Sequence, residues 1–327
     1  MTSKTVLKTH QLSIGYPKHI VRESINEGLY SGELVCLIGP NGAGKTTLMR
    51  TLAGMLSPIA GHVTLLGDDV TKTPSRTLAQ RLSVVLTDKL DVGLLTGYAL
   101  VALGRHPYTD WTGNLSYEDE KIVRWAVEAV NAEDIATRYV SELSDGERQK
   151  LMIARALAQD PALMILDEPT AFLDLPRRVE VMQLLRNLAR DTKRAILLST
   201  HDLDLALRNA DRIWLMPKNA DLQVGAPEDL VLNDAFEQAF ASEGVQFDKR
   251  TGSFRAIRDH QREINILGEG IRYIWTVRAI ERAGYILSET ASSEVIIGET
   301  SWQLKRGTNS ASEEFSSLYD LMTTLEN

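Results

Sequence analysis

Leu34-Val35-Cys36-Leu37-Ile38-Gly39-Pro40-Asn41-Gly42-Ala43-Gly44-Lys45-Thr46 is the stretch on which the fold turns. Its apolar start, Leu34 to Ile38, reads as a buried strand. Gly39 to Thr46 matches the phosphate-loop pattern G-x-x-x-x-G-K-[ST], and a helical pattern follows from Thr46 to Leu56. The glycines let the backbone curl until several N–H groups face one point. That nest, with the start of the helix, attracts phosphate oxygens. Lys45 is expected to place its charge on the β and γ phosphates, and the Thr46 hydroxyl to ligate Mg²⁺. Gly39, Pro40, Asn41, Gly42, Ala43, Gly44, Lys45, Thr46 and Thr47 are the candidate ATP-binding residues.

A second stretch supplies the acids. Leu163-Met164-Ile165-Leu166-Asp167-Glu168-Pro169 is a short apolar strand ending in two carboxylates. In a parallel sheet such a strand delivers its last side chains to the carboxyl edge, where ligands bind. Asp167 is expected to hold Mg²⁺ through water, and Glu168 to polarise the attacking water.

Strand patterns at 5–12, 63–67, 82–86, 162–166 and 195–199 alternate with helical patterns at 118–131, 147–158, 177–190 and 203–209. They imply an α/β fold with a largely parallel sheet covered by helices. At 327 residues the chain has room for about two domains. A formal charge of −8 argues against a nucleic-acid partner. The single cysteine, Cys36, excludes an internal disulfide and reads as a buried small hydrophobe. No stretch approaches 18 consecutive apolar residues, and the first residues lack the apolar core of a signal peptide, so any membrane role is expected to be peripheral.

The pattern changes between Gly244 and Ile264. Eight of the twenty aromatics lie in Val245–Asn327, which argues for a folded segment. It reads as a small α+β unit. A strand at Ile264–Leu267 leads through Gly268-Glu269-Gly270 into a helix with Ile271, Ile274, Val277 and Ile280 on one face, ended by Gly284. Strands follow near Tyr285–Ser288, Val295–Gly298 and Trp302–Lys305. Ser310 and Glu313 have capping-box spacing ahead of a last helix bearing Phe315, Leu318, Met322 and Leu325. Trp275 and Trp302 read as core.

Further motifs carry a family resemblance. Leu143-Ser144-Asp145-Gly146-Glu147-Arg148-Gln149 resembles the signature motif of ATP-binding-cassette (ABC) ATPases. Ala171-Phe172-Leu173-Asp174 is similar to that family's D-loop, Ser199-Thr200-His201-Asp202 to its switch histidine, and Tyr16 to the aromatic that stacks on adenine. The resemblance runs from Val6 to about Phe247. It implies an ABC-type nucleotide-binding domain over residues 1–247. That domain would have a RecA-like parallel core, an antiparallel β subdomain and a helical subdomain at about 88–160, with the α+β accessory domain at 264–327. It also implies ATP and Mg²⁺ as ligands and two copies sandwiching two ATP molecules. In that arrangement Ser144, Asp145, Gly146 and Glu147 of one copy face the nucleotide of the other. Glu168 and His201 would be the catalytic residues, and Thr46 and Asp167 the metal ligands.

Two positions depart from the family pattern. Thr87 stands where the family carries a glutamine that touches metal and water, so its place among the ligands is in doubt. Asp145 replaces a glycine, which the retained Ser144 and Gly146 are expected to tolerate. Leu100 to Tyr108 and Gly225 to Leu230 resemble the ATPases of iron–siderophore, haem and vitamin B12 importers. That resemblance implies two membrane-spanning permease subunits, an extracytoplasmic substrate-binding protein, and a peripheral place on the cytoplasmic face of the membrane. The alternative is a non-transport ABC ATPase with soluble partners. Attached to an ATPase that works as a dimer, the last domain is expected to regulate or to stabilise the dimer.

Overall fold

A computed structural model describes residues 4–86, 94–110, 113–218, 220–240, 245–256, 262–307 and 311–326. The expected strand Leu34–Ile38 lies inside a six-stranded sheet. The order is Gln223–Gly225, Arg212–Leu215, Leu34–Ile38, Ala195–Ser199, Leu163–Leu166, Leu82–Val85. All neighbours are parallel except the edge strand Gln223–Gly225, which runs antiparallel to Arg212–Leu215. Arg212–Leu215 was not anticipated, because its apolar run is short and opens on an arginine.

The central strand is buried along its whole length because both faces are covered. Leu34, Cys36 and Ile38 join a core with Leu151 and Leu157 of the helix Asp145–Ala158 and Leu185 of the helix Leu175–Thr192. Val35 and Leu37 point the other way, to Leu48 and Leu52 of the helix Lys45–Leu52 and to Leu7 and Leu12. Burial pushes the Cys36 thiol far above its ordinary range, as befits a packing residue.

Leu7 and Leu12 belong to the strand Thr5–Tyr16, the spine of an antiparallel sheet. It pairs with His19–Ile25, Gly28–Tyr30 and Ala60–Leu65, and the last of these pairs with Asp68–Asp69. A third region is helical and includes Gly97–Ala102, Tyr117–Ala129 and Asp145–Ala158. Its internal tie is an ion pair. Arg105 Nε lies 2.8 Å from Asp119 Oδ1, both side chains being nearly buried, and Arg105 Nη1 donates to the Ala158 carbonyl at 2.9 Å. Asp119 also completes a capping box with Ser116 at the start of Tyr117–Ala129.

The chain divides into two compact units, the first comprising Met1–Ser242 and Phe247–Phe254, the second Glu243–Gln246 and Arg255–Asn327. The second unit is a five-stranded sheet in the order Tyr285–Leu287, Arg262–Leu267, Ser293–Ile297, Trp302–Arg306, Glu313–Phe315. Helices Gly270–Arg282 and Leu318–Glu326 pack on it around Ile264, Ile280, Val295, Leu304 and Leu321. Gly284, with φ +86, ends the first of these helices as expected.

Four expectations for this unit are corrected. Phe315 is in a strand opposite Trp302, so the helix begins later. Its first turn is capped by Ser317, which accepts the Asp320 N–H at 3.2 Å; Glu313 of the expected capping box lies in the strand instead, and Ser310 lies outside the described residues. The buried face of Gly270–Arg282 carries Thr276, Ala279 and Ile280, leaving Ile271 and Ile274 exposed. The Trp302 indole N–H donates to Thr276 Oγ1 at 2.8 Å, which ties that face to the sheet. Trp275 is therefore exposed, while Trp302 is core.

Removing one member of a buried ion pair strands the other charge. Asp119→Ala is expected to cost about 3 kcal/mol in urea unfolding of the full chain. A loss below about 1 kcal/mol would match an exposed pair and overturn this reading.

Candidate active site

Parallel strands send their carboxyl ends to one edge. Here that edge gathers Gly39 after Leu34–Ile38, Asp167 and Glu168 after Leu163–Leu166, and His201 just past Ala195–Ser199. The central strand therefore has the acids and the histidine on the same side.

The loop after Ile38 is shaped by close approach. A Cβ on Gly39 would lie 2.2 Å from the Met216 carbonyl oxygen, so only glycine passes there. Gly44 has φ +105, and a Cβ on it would meet Val21 Cγ1 at 2.3 Å. The helix Lys45–Leu52 starts at Gly44 without a side-chain cap and without an acid in its first turn. Its first N–H groups are thus left for an external anion. Lys45 is buried, and its Nζ donates to the carbonyls of Gly39 at 2.7 Å and Pro40 at 3.3 Å. Burial lowers the ammonium's pKa, and the carboxylates of Glu168 and Asp167 oppose that shift. Thr46 is exposed at the mouth, Thr47 is buried beneath it, and Asn41 is exposed.

Glu168 Oε1 and His201 Nε2 are 2.7 Å apart. Both side chains are partly exposed, so the pair faces solvent at the sheet edge. Tyr16, at the end of its strand, is 44% exposed, which removes core packing as its role. Among the described residues no cluster of three or more His, Cys, Asp or Glu could by itself hold a metal. One carboxylate, Asp167, and one hydroxyl, Thr46, beside a phosphate cradle suit Mg²⁺, which keeps waters and takes further oxygens from a phosphate ligand.

The remaining candidates lie elsewhere. Ser144 caps the helix Asp145–Ala158 and forms a capping box with Glu147. Its hydroxyl donates to Glu147 Oε2 at 2.7 Å and its N–H to the same oxygen at 2.8 Å. Those bonds and Arg138, 3.1 Å from Glu147 Oε1, hold the Glu147 carboxyl below its ordinary range. Asp145 pairs with Arg148 at 3.4 Å, and the Gly146 position faces the Arg177 side chain. Among the described residues the polar partners of this group are its own neighbours and Arg138. Asp174 caps Leu175–Thr192 by accepting the Arg177 N–H at 3.0 Å. Thr87 lies outside the described residues. Arg138, Val21 and Met216 were missed in the sequence, since no local spacing announces that they touch Glu147, Gly44 and Gly39.

Residues 23–171 match the ABC transporter family, and residues 261–326 match the iron ABC transporter C-terminal domain. An uncharacterized ABC transporter ATP-binding protein of Methanocaldococcus jannaschii is 43% identical over 76% of this chain and 86% of that protein. The iron(3+)-hydroxamate import ATP-binding protein of Bacillus subtilis is 35% identical over 75% of this chain and 91% of its own. The ADP conformation of an ATP-binding cassette of an ABC transporter superposes with a TM-score of 0.63 and 21% identity, over 71% of this chain and 96% of that one. The signature, loop and acid motifs and these matches agree: the chain belongs to the ATP-binding proteins of ABC transporters and is an ATPase.

Proposed function

We propose that this ATPase powers the import of metal chelates of the iron–siderophore, haem or cobalamin type. The observation that carries the catalytic part is the Glu168–His201 pair, 2.7 Å apart, at the same sheet edge as the uncapped helix start after Gly44. The iron-domain match over 261–326 and the hydroxamate-import relative support the cargo class. In this reading residues 1–247 are the ATPase domain, with its helical part at about 88–160, and 264–327 are an accessory domain.

ATP enters with its phosphates over the loop 39–47. The Lys45 ammonium exchanges the Gly39 and Pro40 carbonyls for β and γ phosphate oxygens, and the free N–H groups of the helix start bind the same anion. Tyr16 stacks on the adenine. Thr46 and Asp167 would hold Mg²⁺, which neutralises charge on the β and γ oxygens when bound. Glu168 accepts the proton of the attacking water, and His201 orients that carboxylate and reaches the γ phosphate. Ser144, Asp145, Gly146 and Glu147 serve the nucleotide of a second copy, so two chains close over two ATP molecules, with Asp174 at their junction. Ser144 must then trade its bond to Glu147 for the phosphate, and Arg138 keeps Glu147 drawn aside. The dimer works on two permease subunits from the cytoplasmic face of the membrane, supplied by an extracytoplasmic binding protein. Among the described residues no helix is long and apolar enough to cross a membrane; in this reading the permeases supply the span.

A pull-down of tagged chain from detergent-solubilised membranes tests the partnership. Recovery of a multi-spanning permease is expected. Recovery of soluble partners alone, at good yield, would overturn the importer reading. Glu168→Gln is expected to bind ATP and dimerise with it, while turnover falls at least about 100-fold. Wild-type hydrolysis in that variant would remove Glu168 as the base. Lys45→Ala is expected to weaken ATP binding at least about tenfold in calorimetry, as loss of a charge-assisted phosphate contact requires. Unchanged affinity would show the lysine to be dispensable for binding.

A further inference from the structure

Ser199 ends the strand Ala195–Ser199 and is fully buried. Its hydroxyl faces both acids at once. It accepts the Glu168 N–H at 2.9 Å and donates to Asp167 Oδ1 at 2.6 Å. One proton and one lone pair are thereby used in a single orientation, with the proton on the carboxylate and the lone pair toward the amide. The register explains the meeting. Leu166 pairs with Leu198 in the parallel ladder, so the next step sets Ser199 beside Asp167 and the turn that follows it.

That turn is strained. Glu168 has φ +48, in the left-handed region that L-residues avoid, and its carbonyl accepts the Ala171 N–H at 3.1 Å. The backbone therefore bends sharply where it must aim the Glu168 carboxylate at His201. The Ser199 oxygen is the acceptor that holds the bend from the neighbouring strand.

We propose that Ser199 is a positioning residue for ATP hydrolysis, its hydroxyl fixing the left-handed turn at Glu168 and tying that turn to the Asp167 carboxylate. The proposal rests on the reading of Glu168 as the proton acceptor. Because one hydroxyl serves both residues, the metal-holding and water-activating carboxylates keep their relative placement as a unit. Ser199 bonds to the acids, while the Lys45 ammonium bonds to the loop carbonyls of Gly39 and Pro40, so the removal of Ser199 is expected to act on turnover more than on nucleotide binding.

The test is steady-state ATP hydrolysis by the full chain and its S199A, S199T, E168Q and S199A/E168Q variants. S199A is expected to lower kcat by about tenfold or more, the effect of losing two part-buried hydrogen bonds beside the reacting groups, with KM for ATP within about twofold. S199T keeps the hydroxyl and is expected to restore most of kcat. S199A at the wild-type kcat overturns the proposal, as does a loss that a folded S199T fails to restore. Where circular dichroism shows S199T to be unfolded, the double variant decides. A double variant no slower than E168Q supports the proposal, and additive losses overturn it. E168Q at the wild-type rate removes the reading of Glu168 and this proposal with it. An impaired E168Q beside an unimpaired S199A removes the role of Ser199 alone.

Discussion

Parallel pairing of Leu34–Ile38 with Ala195–Ser199, and of that strand with Leu163–Leu166, is the constraint on which the site depends. Each strand is apolar and buried, so the ladder is held by packing on both faces and cannot slip without exposing a core. With the register fixed, three segments far apart in the chain emerge at one edge in a set order. The loop, the acids and the histidine need no direct bonds among all of them to stay in place. The sheet supplies their alignment, and the short contacts at its edge refine it.

The parts of this arrangement that were legible in the sequence are those written as local patterns. Leu34 to Thr46 is legible because a buried strand, a glycine turn and a helix start follow one another without interruption. Asp167 and Glu168 are legible because four apolar residues before them state that a strand ends there. The reach of Ser199 was not legible, although the residue lies within a recognised motif. Its partners are 31 and 32 positions away, and only the ladder register brings them together. The same holds for Met216 against Gly39 and Arg138 against Glu147. The left-handed φ at Glu168 has no sequence signal either, since that conformation is ordinarily carried by glycine or asparagine.

In the second unit the misreadings share a cause. Ile271 and Ile274 fit a helical apolar stripe as well as Ile280 does, so periodicity alone leaves the buried face open. What orients the helix is a polar contact, Trp302 to Thr276, between residues that look neutral in a hydrophobicity pattern. Phe315 likewise fits the last helix by spacing, yet it pairs with Trp302 across a strand. Long-range pairing overrides local periodicity where the two compete.

Cys36 lies midway along the strand on which this order rests, with its side chain in the core and its thiol driven well away from ionisation. It is the chain's single sulfhydryl. A thiolate is the reactive species, so the folded protein offers oxidants and alkylating agents no handle on cysteine. The consequence runs in the other direction as well. Any reagent that does label Cys36 has reached it through an opening of the central sheet, which makes the residue an internal clock for how often that sheet comes apart.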